Sequence, residues 1–506
     1  MDSFNRFEET ELPKKKEFFN DLNKTAVSDS EYQHAREVWN SFKIKNLGEY
    51  HDLYLKTDVL LLADVFENVR NTCPKHYGLD PCHYFTSTGL AWDAMLKMTK
   101  VKLDLISDID QQLFIEKGMR GGLSYISHRH AKATNKYLPN YNPELDDSYL
   151  MYQDANNLYG WAMCERLPTG NFKWVKNLPE TPLEIEKFLS NYDENSDKGI
   201  ILEVDSKYPK ELHSLHNEYP LAPEKMIIND DMLSNYASET KEKHSISSGK
   251  VSKLVTTLLD KKKYVIHYRN LKQCLDLGMK ITKIHRVLEF DQSPWLKQYI
   301  DFNTEMRKNA KNSFEKDFFK LMNNSVFGKT MENLRKRTNI ELVTDEKRLN
   351  KLSAKPTYLS SKIFNQDLVA VHTKKEKLLL DKPSYVGMCI LDLSKTLMYD
   401  FHYNYIKKKY PDSQLLFTDT DSLFYHIKSE KDIYEEFWVD KNLFDNSDYP
   451  KSSKYFFNDN KKVIGKFKDE AAGKVIEEFV GLKSKMYSYL VREEEHKKAK
   501  GVKKCC

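Results

Sequence analysis

Leu415-Leu416-Phe417-Thr418-Asp419-Thr420-Asp421-Ser422-Leu423-Phe424-Tyr425-His426-Ile427 holds two carboxylates at the tip of an otherwise apolar, β-prone stretch. Leu, Phe, Tyr and Ile flank an Asp-Thr-Asp-Ser segment whose residues favour a turn. The pattern predicts a hairpin with Asp419 and Asp421 at its bend. Two residues apart, the acids share one face of an extended chain and stay close even at a turn. Two anions held that close beside a buried sheet repel one another unless a positive charge lies between them. A divalent cation with oxygen ligands, Mg2+ or Mn2+, answers that need. A plainly acidic, solvated turn has the same local sequence, so residues elsewhere must decide.

Upstream, Ser148-Tyr149-Leu150-Met151-Tyr152-Gln153-Asp154 reads as a strand ending in an acid. Ala155-Asn156-Asn157-Leu158-Tyr159-Gly160-Trp161 follows as a turn into a short helix. A further carboxylate at a strand end is what a two-metal site requires. Between the acidic elements, Lys316, Lys320, Asn324 and Phe327 recur at steps of three and four and so line one helix stripe. Phe314, Phe318, Leu321 and Met322 fall on another stripe, expected to pack inward. Lysines, an amide and an aromatic on one face suit a nucleoside triphosphate, with ammonium groups on phosphates and the ring on base or sugar. Taken alone, the stripe reads first as an ordinary amphipathic helix with a solvated basic face.

In this order the three segments resemble the A, B and C motifs of B-family DNA polymerases, most closely those of the protein-primed subgroup of viruses, linear plasmids and self-synthesising transposons. Asp154-Ala155-Asn156-Asn157-Leu158-Tyr159-Gly160 is similar to the family's Asp-x-x-Ser-Leu-Tyr-Pro, departing at Asn157 and Gly160. Lys320 to Gly328 resembles Lys-x-x-x-Asn-Ser-x-Tyr-Gly, with Phe327 in place of Tyr, and Asp419 to Ser422 matches Asp-Thr-Asp-Ser. Leu482-Lys483-Ser484-Lys485-Met486-Tyr487 resembles the Lys-x-Tyr that contacts the primer end, and Gly465-Lys466-Phe467-Lys468-Asp469-Glu470 the strand leading there. Four motifs in order over more than 300 residues are far more specific than any one alone.

The resemblance implies an α/β (α+β) right-hand polymerase with an antiparallel-sheet palm and helical fingers, preceded by the remnant of an RNase H-like exonuclease domain. It implies template-directed addition of dNTPs to a primer 3′-hydroxyl, with two Mg2+ or Mn2+ ions held by Asp154 and Asp421 and assisted by Asp419. Lys320, Lys316 and Lys308 would bind the triphosphate, Asn324 would order that face, and Tyr159 would sit beneath the sugar and exclude a 2′-hydroxyl. Phe327 keeps an aromatic surface but lacks the hydroxyl of the usual Tyr. Primer and template contacts fall to Lys485, Tyr487, Gly121, Gly122 and Ser422. The implied partners are template and primer DNA, dNTPs and a priming terminal protein.

Length and composition agree. At 506 residues and 59.6 kDa the chain suits two or three domains, and 80 basic residues nearly balance 75 acidic ones, for a net charge of +5. Basic runs at Lys261-Lys262-Lys263, at Lys407-Lys408-Lys409 and from His496 to Lys504 have the charge to track a phosphate backbone. Lys263-Tyr264-Val265-Ile266-His267-Tyr268-Arg269 mixes bases with aromatics, as base stacking or a half-buried strand would use. Seven cysteines without a Cys-x-x-Cys pair argue for a reducing compartment and against a disulfide framework. Cys73, His76, Cys82 and His83 invite a zinc reading, though adjacent Cys82 and His83 suit one tetrahedral site poorly. No run of 18 apolar residues and no signal-peptide core is visible, which predicts a soluble, intracellular protein without membrane association.

The expected organisation runs from an exonuclease-domain remnant (1–100) through a linker with Arg120-Gly121-Gly122 (101–148) to a first palm segment with an insertion (149–283). Fingers (284–340), a second insertion (341–383), a second palm segment (384–490) and a short tail with most of the thumb missing (491–506) follow. In relatives the insertions are associated with the priming protein and with strand displacement. Within the remnant, Tyr54 and Asp58 resemble the third exonuclease motif, on a helix whose apolar face is Val59, Leu62, Ala63 and Phe66. Only 53 residues precede Tyr54, and Asp29-Ser30-Glu31 reads as a helix start, so Asp58 is expected to be an orphan and proofreading absent. Two alternatives remain at this level: a catalytically weak or silent DNA-binding remnant of a mobile element, and a metal-dependent nuclease using the same acids.

Overall fold

Six strands build the sheet that carries the acids. In spatial order they are Ser124–Ile126, Gln414–Asp419, Ser422–Lys428, Ser148–Ala155, Phe467–Asp469 and Phe444–Asp445, antiparallel except for the last pair. The computed structural model describes residues 3–20, 25–139, 141–247, 249 and 251–500. The chain forms two units, Met1–Thr86 and Ser87–Cys506.

In the second unit, alternation along the strands sends side chains to two cores. Tyr149, Met151, Leu423, Tyr425 and Ile427 face one, with Tyr399, Phe401 and Ile406 packed over them. Leu150, Tyr152, Phe417 and Phe424 face the other, closed by Phe479 and Tyr487. Those last two belong to a four-stranded sheet of His130–Lys132, Glu478–Lys483, Met486–Val491 and Glu494–Ala499. Residues 494–499 are thus a paired strand where a short tail is expected, while the end of the basic run, 501–504, lies outside the described residues.

Helices Lys297–Lys308 and Ser313–Thr330 pack as a pair, tied by Asn303 donating to Asn323 Oδ1 at 2.9 Å. The inward stripe of the second helix departs from expectation. Phe318 and Met322 are buried, but Phe319 goes inside and Leu321 is 45% exposed. Helix Ser87–Thr99, assigned by sequence to a remnant ending at 100, packs on Ser313–Thr330 through the face of Leu90, Ala91, Ala94 and Met95, so the units divide after Thr86 instead. Residues 284–293, expected in the fingers, belong to strand Lys280–Ser293, which pairs with Lys198–Lys207 and Leu167–Trp174. Ile284, Val287, Leu288 and Phe290 are buried within it. Residues 338–374 form a separate three-stranded sheet with a helix, around Val343, Leu352, Val369 and Val371.

Two basic runs are partly absorbed by the fold, with Lys262, Lys263 and Lys408 left exposed. Lys261 is fully buried, 3.3 Å from Glu224, while Lys407 pairs with Glu218 at 3.0 Å and Lys409 with Asp440 at 2.6 Å. Tyr264 and Tyr268 are buried in and just after strand Lys261–His267, so the half-buried-strand reading of that segment holds.

In the first unit, Glu31 closes a capping box with Ser28, as a helix start requires. Helix Leu47–Tyr77 carries Tyr54 and Asp58, but the face expected to pack is on the surface: Val59, Leu62 (68% exposed), Ala63 and Phe66 all meet solvent. Cys73, Cys82, Cys164, Cys274 and Cys389 are free thiols. Among the described residues no group of three or more His, Cys, Asp or Glu side chains is arranged to hold a metal ion, so the structure gives the zinc reading of Cys73, His76, Cys82 and His83 no support. No described helix is long and apolar enough to cross a membrane.

Candidate active site

The register of two strands brings the acids together. Ser422 pairs with Asp154, so Asp421, one residue before Ser422, sits at the end of the strand carrying Asp154, and the Ala155 amide donates to the Asp421 carbonyl at 2.7 Å. The hairpin bend is a three-residue turn. The Asp421 amide donates to the Asp419 carbonyl at 2.8 Å, and Thr420 between them takes φ of +69°.

Asp154 and Asp421 differ from Asp419 in their surroundings. Burial first, then the charges of Asp421 and Glu470, push the Asp154 carboxyl up to about 8, against the pull of Lys468 and Lys320. Asp421 is also raised, by burial and by Asp419 and Glu470. Among the described residues, neither side chain has an ion pair or a hydrogen bond to another side chain. Asp419 turns instead to two lysines, with Lys485 Nζ 3.3 Å from Oδ1 and Lys498 Nζ 3.5 Å from Oδ2. The three expected acids therefore do not form one closed ligand set.

This donor chemistry fits a divalent ion. Two largely buried, mutually repelling carboxylates without an ion-paired cation either take up a proton or meet a positive charge, although among the described residues no group of three or more His, Cys, Asp or Glu side chains gathers here. Mg2+ is commonly held by one or two carboxylates, with waters and substrate phosphates completing its shell. Asp154 and Asp421 are the residues that would hold it.

A cleft of about 140 Å3 lies on the side of Lys468 and Lys320, whose charges reach Asp154; it is lined by Lys316, Lys320, Arg307, Lys462 and Lys468, with Asp445 and Asp448 among its other residues. Helical phase places Lys316 and Lys320 together, as their spacing predicts. Lys308 does not line the cleft; its neighbour Arg307 does, with a guanidinium lowered by burial and an Nε that has no hydrogen-bond partner among the described residues. Lys462 is likewise lowered by burial and by the charges of Lys316 and Arg307. Lys468 pairs with Asp448 at 2.9 Å and lies opposite Asp154 in the adjoining strand. Asn324 is exposed one turn beyond Lys320.

Tyr159 and Phe327 stack, their ring centroids 4.5 Å apart and their planes 26° from parallel. Burial and the charge of Asp421 push the Tyr159 hydroxyl up to about 12. Together with Gly121, Thr330, Arg335 and Lys382, these rings line a cavity of about 530 Å3. The two departures in the first motif prove to be one adjustment. Asn157 caps helix Leu158–Cys164 at φ of +47°, a conformation Asn tolerates, and its side chain fills the space a Cβ on residue 160 would need.

Two expected DNA contacts lie elsewhere. Tyr487 is 7% exposed, and its hydroxyl is 3.1 Å from that of Tyr152 in the core. Ser422 is buried beside the same tyrosine. A side chain on Tyr487's side of its strand points into the aromatic core, whereas Lys485 sits in the preceding turn, at φ of +59°, and faces the acids. Arg307, Lys462, Lys468, Glu470 and Lys498 are site residues that sequence reasoning missed. Lys468 and Glu470 lie in the 465–470 segment and Lys498 in the C-terminal basic run, but nothing in the sequence placed them, Arg307 or Lys462 at the acids.

An acid-bearing antiparallel sheet faced by a lysine-bearing helix defines a site for phosphate chemistry on a charged substrate. Residues 8–408 match the family model described as DNA polymerase type B, organellar and viral, and the chain belongs to that family. Phi29 DNA polymerase in an orthorhombic crystal form is similar with a TM-score of 0.49 and 14% identity, over 83% of this chain and 61% of that one. The phi29 ternary complex with primer-template DNA and incoming nucleotide gives 0.48 and 13%, over 83% and 61%. The family B DNA polymerase of Pyrobaculum calidifontis gives 0.29 and 11%, over 87% and 36%. The chain spans less than two thirds of the length of these polymerases. No curated protein matches it.

Proposed function

We propose that this chain is a template-directed DNA polymerase that adds dNTPs to a primer 3′-hydroxyl, in the protein-primed manner of its subgroup. The observation that carries the reading is the register that sets Asp154 beside Asp421, with the charges of Lys320 and Lys468 from the neighbouring cleft reaching Asp154. Family membership supports it.

Two divalent ions at Asp154 and Asp421 would supply charge neutralisation at the reacting phosphate and a lower pKa for the primer hydroxyl. The chain's own groups do the rest. Lys320, Lys316, Arg307 and Lys462 take the triphosphate oxygens, and Asn324 borders that face. The Tyr159–Phe327 stack supports sugar and base, and the Tyr159 ring leaves no room for a 2′-hydroxyl. Lys485 and Lys498 fix Asp419 and offer ammonium groups to primer phosphates. Gly121 lets the template backbone approach the stacked rings.

The test is extension of a short primed template with Mg2+ and dNTPs. Growth of the primer in template-specified order is expected. DNA binding without extension would favour the silent remnant, and release of nucleotides without dNTPs would favour a nuclease.

A further inference from the structure

The Arg120-Gly121-Gly122 segment meets the catalytic hairpin at its tip. The Thr420 amide donates to the Leu123 carbonyl at 2.6 Å, and strand Ser124–Ile126 continues the contact, pairing Ser124 with Asp419 and Tyr125 with Thr418. A Cβ on Gly122 would fall 2.4 Å from both Cγ2 and Oγ1 of Thr420 and 2.8 Å from its Cβ. Gly122 does not take a positive φ, so its missing side chain matters here for space alone. Gly121 differs: a Cβ there would meet nothing within 4 Å.

Thr420 is the strained partner. A β-branched residue at φ of +69° is an outlier, and such conformations persist only where the surroundings over-determine them. Those surroundings are themselves anchored from below. Lys395, 6% exposed, donates to the Arg120 carbonyl at 2.8 Å. Arg120, equally buried, donates to the Val265 carbonyl at 2.7 Å and lies over the Tyr264 ring at 3.7 Å. Asp392, which accepts the His267 amide at 2.9 Å, balances the two cations.

We propose that residues 120–124 clamp the Asp419-Thr420-Asp421 turn, with Gly122 and Thr420 as complementary positioning residues that hold the two acids at their working separation. The proposal rests on the reading of those acids as catalytic. It assigns Gly122 a role distinct from close approach to DNA: the glycine is the socket for the Thr420 side chain, and Lys395 and Arg120 keep the socket rigid.

A reciprocal exchange of volume tests it. Gly122→Ala forces the turn away and is expected to lower kcat by about 10²-fold, the scale of a misplacement near 1 Å, with dNTP KM and DNA Kd within about 3-fold of wild type. Thr420→Gly empties the socket and lowers kcat less. The double variant Gly122→Ala/Thr420→Gly refills it and recovers kcat to within about 5-fold of wild type. Melting temperature on the same four proteins follows the contact independently of activity: it falls in Gly122→Ala and recovers in the double variant. A wild type unable to extend primers would sink the function reading, and the clamp would then stand or fall on the melting cycle. An active wild type whose Gly122→Ala defect lies in DNA Kd, or is not relieved by Thr420→Gly, would overturn the clamp. Should Gly122→Ala fail to fold, an unchanged kcat in Thr420→Gly alone does the same.

Discussion

Asp421→Asn and Asp154→Asn each lower the rate of primer extension by about 10³-fold or more, the cost of removing charge at the centre where it must be neutralised in the transition state. Asn preserves shape and removes only the anion. The folding consequence has the opposite sign. The Asp154 carboxyl, ordinarily near 3.8, is pushed up to about 8 in the folded protein. The folded state therefore binds its proton more tightly than the unfolded chain, and metal-free stability is lost as pH rises from about 4 through about 8. Asp154→Asn removes that loss. Without divalent ions the variant is expected to melt above wild type at pH 8, with the difference closing near pH 4. Mg2+ raises the melting temperature of wild type more than that of the variant, because an ion that binds only the folded state stabilises it. Primer extension and thermal melts at the two pH values, with and without Mg2+, check both halves. A variant that extends normally, or that melts below wild type at pH 8, would falsify the role given to Asp154.

How much of this was legible in the sequence follows from the range of each interaction. That Asp154 ends a strand and that Asp419 and Asp421 sit at a hairpin bend was legible because these are local patterns, while their meeting in one sheet rests on a long-range strand register. Lys316 and Lys320 were legible because helical phase is local too. Arg307 follows Asn303 by four residues, but only the structure shows that Asn303 is buried and so which of Arg307 and Lys308 faces the cleft. Lys462, Lys468 and Lys498 had no such signal. They reach the site through strand pairings and a loop whose partners lie far away in the chain, as with Lys498, which shares a hairpin register with Tyr487. Periodicity failed in a different way along Leu47–Tyr77. It shows that Val59, Leu62 and Phe66 share a face, but not that anything covers that face, and the structure leaves it open. Residues 284–293 were placed in the fingers because a domain boundary was drawn by analogy with relatives. The strand's pairing with Lys198–Lys207 overrides it. Tyr487 was given a DNA contact by its motif, yet an aromatic ring beside Phe417, Phe479 and Tyr152 gains more from burial than from solvent.

Lys320→Ala is expected to raise the KM for dNTPs and lower kcat, for a combined loss in kcat/KM of about 10- to 100-fold. One charge-assisted contact to a phosphate is worth roughly 1.5–3 kcal/mol, and each 1.4 kcal/mol is a factor of ten. Both parameters move because the ammonium has two electrostatic partners. It lines the cleft for the triphosphate, and its charge also favours the ionised form of Asp154. Lys316 lines the same cleft, where its charge reaches Asp448 and Lys462, so Lys316→Ala also raises KM. Arg307→Ala exceeds Lys308→Ala in its effect on KM, since only the guanidinium lines the cleft. Steady-state kinetics on these four variants distinguish the roles. A Lys320→Ala defect confined to DNA affinity, with dNTP KM unchanged, would remove the helix from the nucleotide site and place it on the primer-template duplex instead.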